Sequence, residues 1–96
     1  MSAIRDRSKI GDKLQQWGGQ ALTASAITLT PVKEISALRI FNTSPSKVIK
    51  YSIDGGTTYL SIMPLGIIDE YYRAKTILLK TASGSANVDV EVTYPQ

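Results

Sequence analysis

The carboxylates Asp89 and Glu91 are the nearest this chain comes to a catalytic pair. Two apart on a strand, they would share a face at roughly 7 Å, a separation that suits glycoside hydrolysis. Such pairs, however, come from different strands inside a cleft, and one partner needs a raised pKa. Asp89 and Glu91 instead sit between Asn87 and Thr93 on the polar side of an amphipathic strand. They read as solvated charge that also protects an exposed strand from edge pairing. Asp54-Gly55-Gly56-Thr57-Thr58 has the composition of a cation or phosphate loop, but calcium needs about six oxygens and one Asp does not supply them. It reads as a hairpin turn. The many Ser and Thr hydroxyls have no base to activate them and signal strand and turn preference. The chain contains neither histidine nor cysteine. That removes His- and Cys-based zinc sites, Cys/His nucleophilic pairs and Ser-His-Asp triads together. No catalytic residue, metal site or cofactor is expected, and the chain reads as a non-enzyme.

Two other groups of side chains suit binding. Asp69-Glu70-Tyr71-Tyr72-Arg73 sets two tyrosines beside an arginine, residue types that interfaces favour and that also suit a sugar-stacking platform. On a strand the two rings would point to opposite faces. The plainer reading puts one in the core and leaves the other half-exposed beside Arg73. The second group opens the chain. Ile10, Leu14 and Trp17 fall at i, i+4 and i+7, the spacing of a two-turn helix closed by Gly18. Alone it is shorter than the roughly 12 residues at which isolated helices become marginal, and Gly11 weakens it. Residues 1–19 therefore read either as a helix packed on the body or as an N-terminal arm that orders on a partner. Trp17, the single tryptophan, either staples this segment to its own core or anchors an interface. Partner contact is expected at Arg5, Arg7, Ile10, Leu14 and Trp17, then at Tyr71, Tyr72 and Arg73.

The totals narrow the partners. Ninety-six residues make one domain, and the net charge of +3 is scattered. Arg5, Arg7, Lys9 and Lys13 are offset in part by Asp6 and Asp12, which argues against nucleic acid as a partner. No apolar run approaches the roughly 18 residues of a membrane span. Ile4-Arg5-Asp6-Arg7-Ser8-Lys9 occupies the place of a signal peptide's apolar stretch, so a soluble protein made in a cytoplasm is expected.

From Gln20 the hydrophobic period becomes two. Gln20 to Thr30 reads as one strand, bulged near Ala26-Ile27 and ended by Pro31. In Ile35–Asn42, Leu38, Ile40 and Asn42 face one way while Ala37, Arg39 and Phe41 face the other. Ile49, Tyr51 and Ile53 alternate with Lys50 and Ser52. After the Asp54-Gly55-Gly56 turn the return strand is Thr57–Met63, with Leu60 and Ile62 inward. Pro64-Leu65-Gly66 turns the chain, and Ile67–Tyr72 resumes it. Ile77-Leu78-Leu79 suits a strand covered on both sides or at an interface. Val88, Val90, Val92 and Tyr94 alternate cleanly with Asn87, Asp89, Glu91 and Thr93. The expectation is an all-β sandwich or barrel of about seven strands spanning residues 20–96, preceded by an arm of residues 1–19.

The stretch Tyr51-Ser52-Ile53-Asp54-Gly55-Gly56-Thr57-Thr58, then Pro64-Leu65-Gly66, then Lys75 to Val90 resembles small virion structural proteins of tailed bacteriophages. In these a Y-S-x-D-G-G-x-T pattern, a Pro/Gly turn and a K-x-I-x-L-K-x-x-S-G-x-A-x-V-x-V close recur in head decoration, fibre-base and neck proteins. The match covers about half the chain; residues 1–19 have no counterpart in it. The resemblance implies a β-sandwich or jelly-roll subunit that forms a homo-oligomer and attaches to a virion assembled in the host cytoplasm. Its first form is a capsid decoration or cement protein that bridges and stabilises major capsid protein subunits. A second form is a neck, tail or fibre-attachment protein. From a different class comes a carbohydrate-binding β-sandwich that stacks sugars on Tyr71, Tyr72 or Trp17.

Overall fold

The computed structural model describes residues 13–95. Among them are eight strands and no helix: β1 (Lys13–Leu22), β2 (Ile27–Leu29), β3 (Ala37–Asn42), β4 (Ile49–Ser52), β5 (Leu60–Ile62), β6 (Ile67–Glu70), β7 (Ile77–Thr81) and β8 (Ala86–Tyr94). Their pairing is that of one long hairpin. β4 and β5 pair across the Asp54-Gly55-Gly56 turn, and β3–β6, β2–β7 and β1–β8 nest outward from it, all antiparallel. Nearly every strand carries one apolar side, which a flat ladder would leave in water. Rolling the hairpin buries those sides against each other. β3 then also pairs with β8, and β4 with β7. The result is two antiparallel sheets of four strands, sheet I in the order β1-β8-β3-β6 and sheet II in the order β2-β7-β4-β5. This is a small β-sandwich with the strand order of an eight-stranded jelly roll.

The alternation read in the sequence sets the inner faces. Leu38 and Ile40 of β3 and Val88, Val90 and Val92 of β8 close over Ile49, Ile77 and Leu79 of sheet II, all at most 1% exposed. Asn42 continues the inner side of β3 and is fully buried. Its Nδ2 donates towards the carbonyls of Lys47 (2.7 Å), Met63 (3.1 Å) and Ile62 (3.2 Å), while Oδ1 accepts the Ser44 N–H at 3.0 Å. One amide thus joins the end of β3 in sheet I to the end of β5 in sheet II.

Four expectations change. Residues 13–19 are neither helix nor arm but most of β1, the longest strand, laid along β8. A short segment with Gly18-Gly19 at its end has weak helical preference, and pairing along the nine residues of β8 outweighs it. The register slips between Trp17 and Gln20, and Gly19 takes a left-handed φ of 60°, the mark of a bulge. Second, Gln20–Thr30 is not one strand. The chain bends at Thr23–Ala26 and passes from sheet I to sheet II, with Ser25 N–H bonded to the Thr23 hydroxyl at 3.2 Å. Third, β8 lies between β1 and β3, so Asp89 and Glu91 guard no edge. Fourth, Leu60, at the start of edge strand β5, remains 49% exposed where Ile62 at its end is buried.

Replacing Asn42 by Ala removes the amide's bonds to the Lys47, Ile62 and Met63 carbonyls and frees the two loops that it joins. Asn42→Ala is expected to cost about 2–3 kcal/mol, read as a lower urea midpoint at unchanged slope.

Candidate functional site

The Tyr71-Tyr72-Arg73 group follows the end of β6 rather than lying on a strand. The backbone bridge between Ile35 and Ala74 ties this connection to the chain before β3. Tyr72 turns inward onto the core, and its hydroxyl meets that of buried Tyr51 at 3.0 Å, with the rings tilted 55° at 6.3 Å. Burial first, and then the hydrogen bond with Tyr72, raise the Tyr51 phenol well above the usual tyrosine range. Tyr71 is 60% exposed. With Ser36, Tyr72 and Arg73 it lines a shallow, open concavity. One tyrosine is therefore structural and one superficial.

Of the opening group, Arg5, Arg7 and Ile10 lie outside the described residues. Leu14 and Trp17 lie on β1, three positions apart and so on opposite faces. Leu14 sits opposite Thr93 on the outer face, 46% exposed. Trp17 sits opposite Val90, half-buried and packed against the core. The helical stripe that would have joined them does not exist, and Trp17 staples β1 down.

Asp89 and Glu91 serve the fold of sheet I. The Asp89 carboxylate accepts the N–H of bulged Gly19 at 2.7 Å. Glu91 accepts the Gln16 amide at 3.0 Å and pairs with Arg39 at 3.8 Å. Asp54 is likewise structural. Its Oδ1 accepts the Ser52 hydroxyl at 2.7 Å and the Thr58 N–H at 2.9 Å, and these bonds hold its carboxyl below the ordinary range. Among the described residues no three acidic side chains cluster as metal ligands would.

The feature that sequence reasoning missed surrounds the β5–β6 turn. Met63-Pro64-Leu65-Gly66 closes with Gly66 N–H to the Met63 carbonyl at 2.8 Å. A Cβ on Gly66 would come within 2.8 Å of that same oxygen. Proline second and a left-handed residue third is the type II pattern, in which the third place belongs to glycine or asparagine. Here it is Leu65, at φ 59°. Its side chain is 58% exposed, beside Met63 at 59%, Ile67 at 50% and Phe41 at 37%. Phe41 and Ile67 face each other across β3 and β6. The turn is pinned from below by Leu65 N–H to the Ser44 carbonyl (3.0 Å) and Asn42 N–H to the Gly66 carbonyl (2.9 Å). An apolar side chain is held out in water on a backbone that leucine disfavours. The available signal was the leucine standing where a Pro-x-Gly turn calls for glycine.

No protein-family model matches the chain, and neither does any curated protein. Solved structures do share its fold. One is an HTH_3-family transcriptional regulator from Vibrio cholerae, with a TM-score of 0.59 at 12% identity. The alignment covers 93% of this chain but 46% of that one, so the chain spans about half its length. Another is the Cupin_2 domain of an XRE-family transcriptional regulator from Enterobacter cloacae, with a TM-score of 0.59 at 13% identity, covering 88% of this chain and 84% of the other. At such identities the likeness is one of fold, and cupins are double-sheet jelly rolls.

The raised Tyr51 phenol has a consequence for stability. Folding favours its neutral form, so its contribution is complete below about pH 10, where an unfolded tyrosine titrates, and is lost as the pH rises through that value towards the folded one. The urea midpoint is expected to fall on raising the pH above about 10, and less steeply in Tyr51→Phe.

Proposed function

We propose that this chain is a non-enzymatic structural subunit that works by covering part of its surface with another protein. Its specific form is a capsid decoration or cement protein that braces major capsid protein subunits of a tailed-phage virion. Neck, tail or fibre attachment would use the same surface on a different virion partner. The observation that carries the reading is the apolar group Phe41, Met63, Leu65 and Ile67 around the β5–β6 turn. Water-exposed apolar groups of this kind mark interaction sites. Leu65 adds a second cost, because its left-handed φ is one that a glycine would take without strain. A residue that breaks two local rules at once is expected where function outweighs stability.

Two further features support a surface role. The interior of the sandwich is packed with aliphatic side chains. The concavities along its exterior, beside Trp17, Tyr51, Arg39 and Tyr71, are open depressions. The carbohydrate reading keeps one point in its favour, the exposed Tyr71 beside Arg73. It loses Tyr72, whose hydroxyl is committed to Tyr51, and Trp17, which faces inward.

The test pairs stability with binding. Leu65→Gly is expected to leave the thermal midpoint unchanged or raised, since it relieves about 1 kcal/mol of backbone strain. The same change, like Met63→Ser, is expected to weaken co-sedimentation with undecorated phage shells about tenfold, in line with loss of an apolar interface anchor. Shell binding unaffected by both changes, or saturable quenching of aromatic fluorescence by a glycan that Tyr71→Ala abolishes, would overturn the proposal.

A further inference from the structure

Rolling the hairpin sorts charge between the two sheets. Among the described residues, every carboxylate borne by a strand lies in sheet I: Asp69 and Glu70 on β6, Asp89 and Glu91 on β8. The strands of sheet II carry no acid and two lysines, Lys50 on β4 and Lys80 on β7. Alternation puts most of these charges on the outer faces. On sheet I, Arg39, Asp69, Asp89 and Glu91 alternate with the inward Leu38, Ile40, Ile68, Val88, Val90 and Val92, leaving three carboxylates against one guanidinium. On sheet II, Lys50 and Lys80 alternate with the inward Ile49, Tyr51 and Leu79.

The two lysines are directly opposite each other across the β4–β7 ladder. Like charges in that position repel, and no carboxylate on the strands of sheet II relieves them. Lys80 finds partial cover from the Tyr59 ring, its ammonium 4.3 Å from the centroid. Lys50 is flanked on its other side by Ser61 of β5. The face is therefore a small basic surface with an aromatic at its rim, made at a cost to the sheet. Two lysines are too few to follow a nucleic-acid backbone, which rewards many phosphate contacts. They match instead the two excess negative charges on the opposite face of the same molecule. That acidic face also offers exposed apolar surface at Phe41 (37%) and Ile67 (50%).

We propose that the outer face of sheet II, centred on Lys50, Lys80 and Tyr59, docks the outer face of sheet I of a second copy, centred on Asp89 and Glu91 with Asp69 and Phe41. The contact rests on the reading of the chain as an assembling subunit and names the surfaces it uses. It is heterologous, because two different faces meet. The two faces point in opposite directions, so each added copy leaves one basic and one acidic face free. Head-to-tail contacts of this kind build a stack, or a ring if the rotation closes. Complementary charge of this sort steers encounter and sets register.

The experiment uses the full chain and two surface variants, Lys50→Glu/Lys80→Glu and Asp89→Lys/Glu91→Lys, with mass read by light scattering. The first variant has two acidic faces and the second two basic ones. Wild type is expected to gain mass with concentration at about 20 mM salt and to fall to monomer by about 500 mM, as the screening length shrinks from tens of ångström to a few. Each variant alone is expected to associate about tenfold more weakly or worse, because like faces meet. An equimolar mixture is expected to recover the wild-type mass, since every contact again joins opposite faces. Recovery on mixing also shows that both variants fold. Association of wild type that neither variant weakens would overturn this interface while leaving the assembling-subunit reading in place. A wild type that stays monomeric at low salt would also overturn it, and its sedimentation with shells would then judge the proposed function separately. Capture of fluorescent single-stranded DNA, lost in Lys50→Glu/Lys80→Glu and without self-association, would overturn it in favour of a nucleic-acid partner.

Discussion

The two sheets are joined at one end by a single buried amide. Asn42 ends the inner face of β3, where an aliphatic side chain would extend the core. It instead satisfies backbone carbonyls from the β3–β4 loop and from the end of β5. The carbonyls of Lys47 and Met63 stand just outside β4 and β5, where the ladder does not pair them. Buried polar groups left in that state would each cost free energy comparable to a lost hydrogen bond. Because the amide holds both loops, it also sets the height and direction of the Met63–Gly66 turn. The exposed leucine at the tip of that turn depends on the hydrogen bonds of Asn42 and Ser44 beneath it.

The nested hairpin explains how few residues make a closed sandwich. Each strand's partner is fixed by its distance from the Asp54-Gly55-Gly56 tip, so one turn organises four pairs in sequence. Closure brings β8 and β7 into the centres of their sheets and leaves β1, β2, β5 and β6 as edges. Those edges are handled differently. β6 ends in Asp69-Glu70, β2 and β5 are three residues long, and β1 is broken by the Gly18-Gly19 bulge. Acid, brevity and bulges are the known ways of discouraging unwanted strand pairing. With the edges blunted, the broad outer faces and the loop ends are the surfaces left open.

The same topology gives opposite charges to opposite faces. Along the chain, lysines and carboxylates are interspersed, and nothing in their order suggests separation. Rolling assigns β4 and β7 to one sheet and β6 and β8 to the other, and the charges go with them. A mild net charge of +3 thus hides, among the described residues, strands whose carboxylates all lie in one sheet while the other carries only lysines. Net charge describes solubility, whereas the sorted faces bear on recognition.

What the amino-acid sequence determined by itself was local. Period-two alternation placed Leu38, Ile40 and Asn42, and Val88, Val90 and Val92, on inner faces, because successive side chains on a strand must point to opposite sides. Gly, Pro and Asp-Gly marked most of the turns, and the lack of His and Cys removed whole classes of chemistry. The tertiary structure decided the rest. Lys13–Leu22 became a strand because β8 offered it a partner more than sixty residues away, a contact no local window contains. The crossing at Thr23–Ala26, the pairing of Tyr72 with Tyr51 and the central place of Asp89 and Glu91 all follow from long-range closure. So does the left-handed Leu65, whose turn is clamped by Ser44 and Asn42 from another part of the chain. Local preference sets which way a side chain faces. Only the partner strand decides what that face meets.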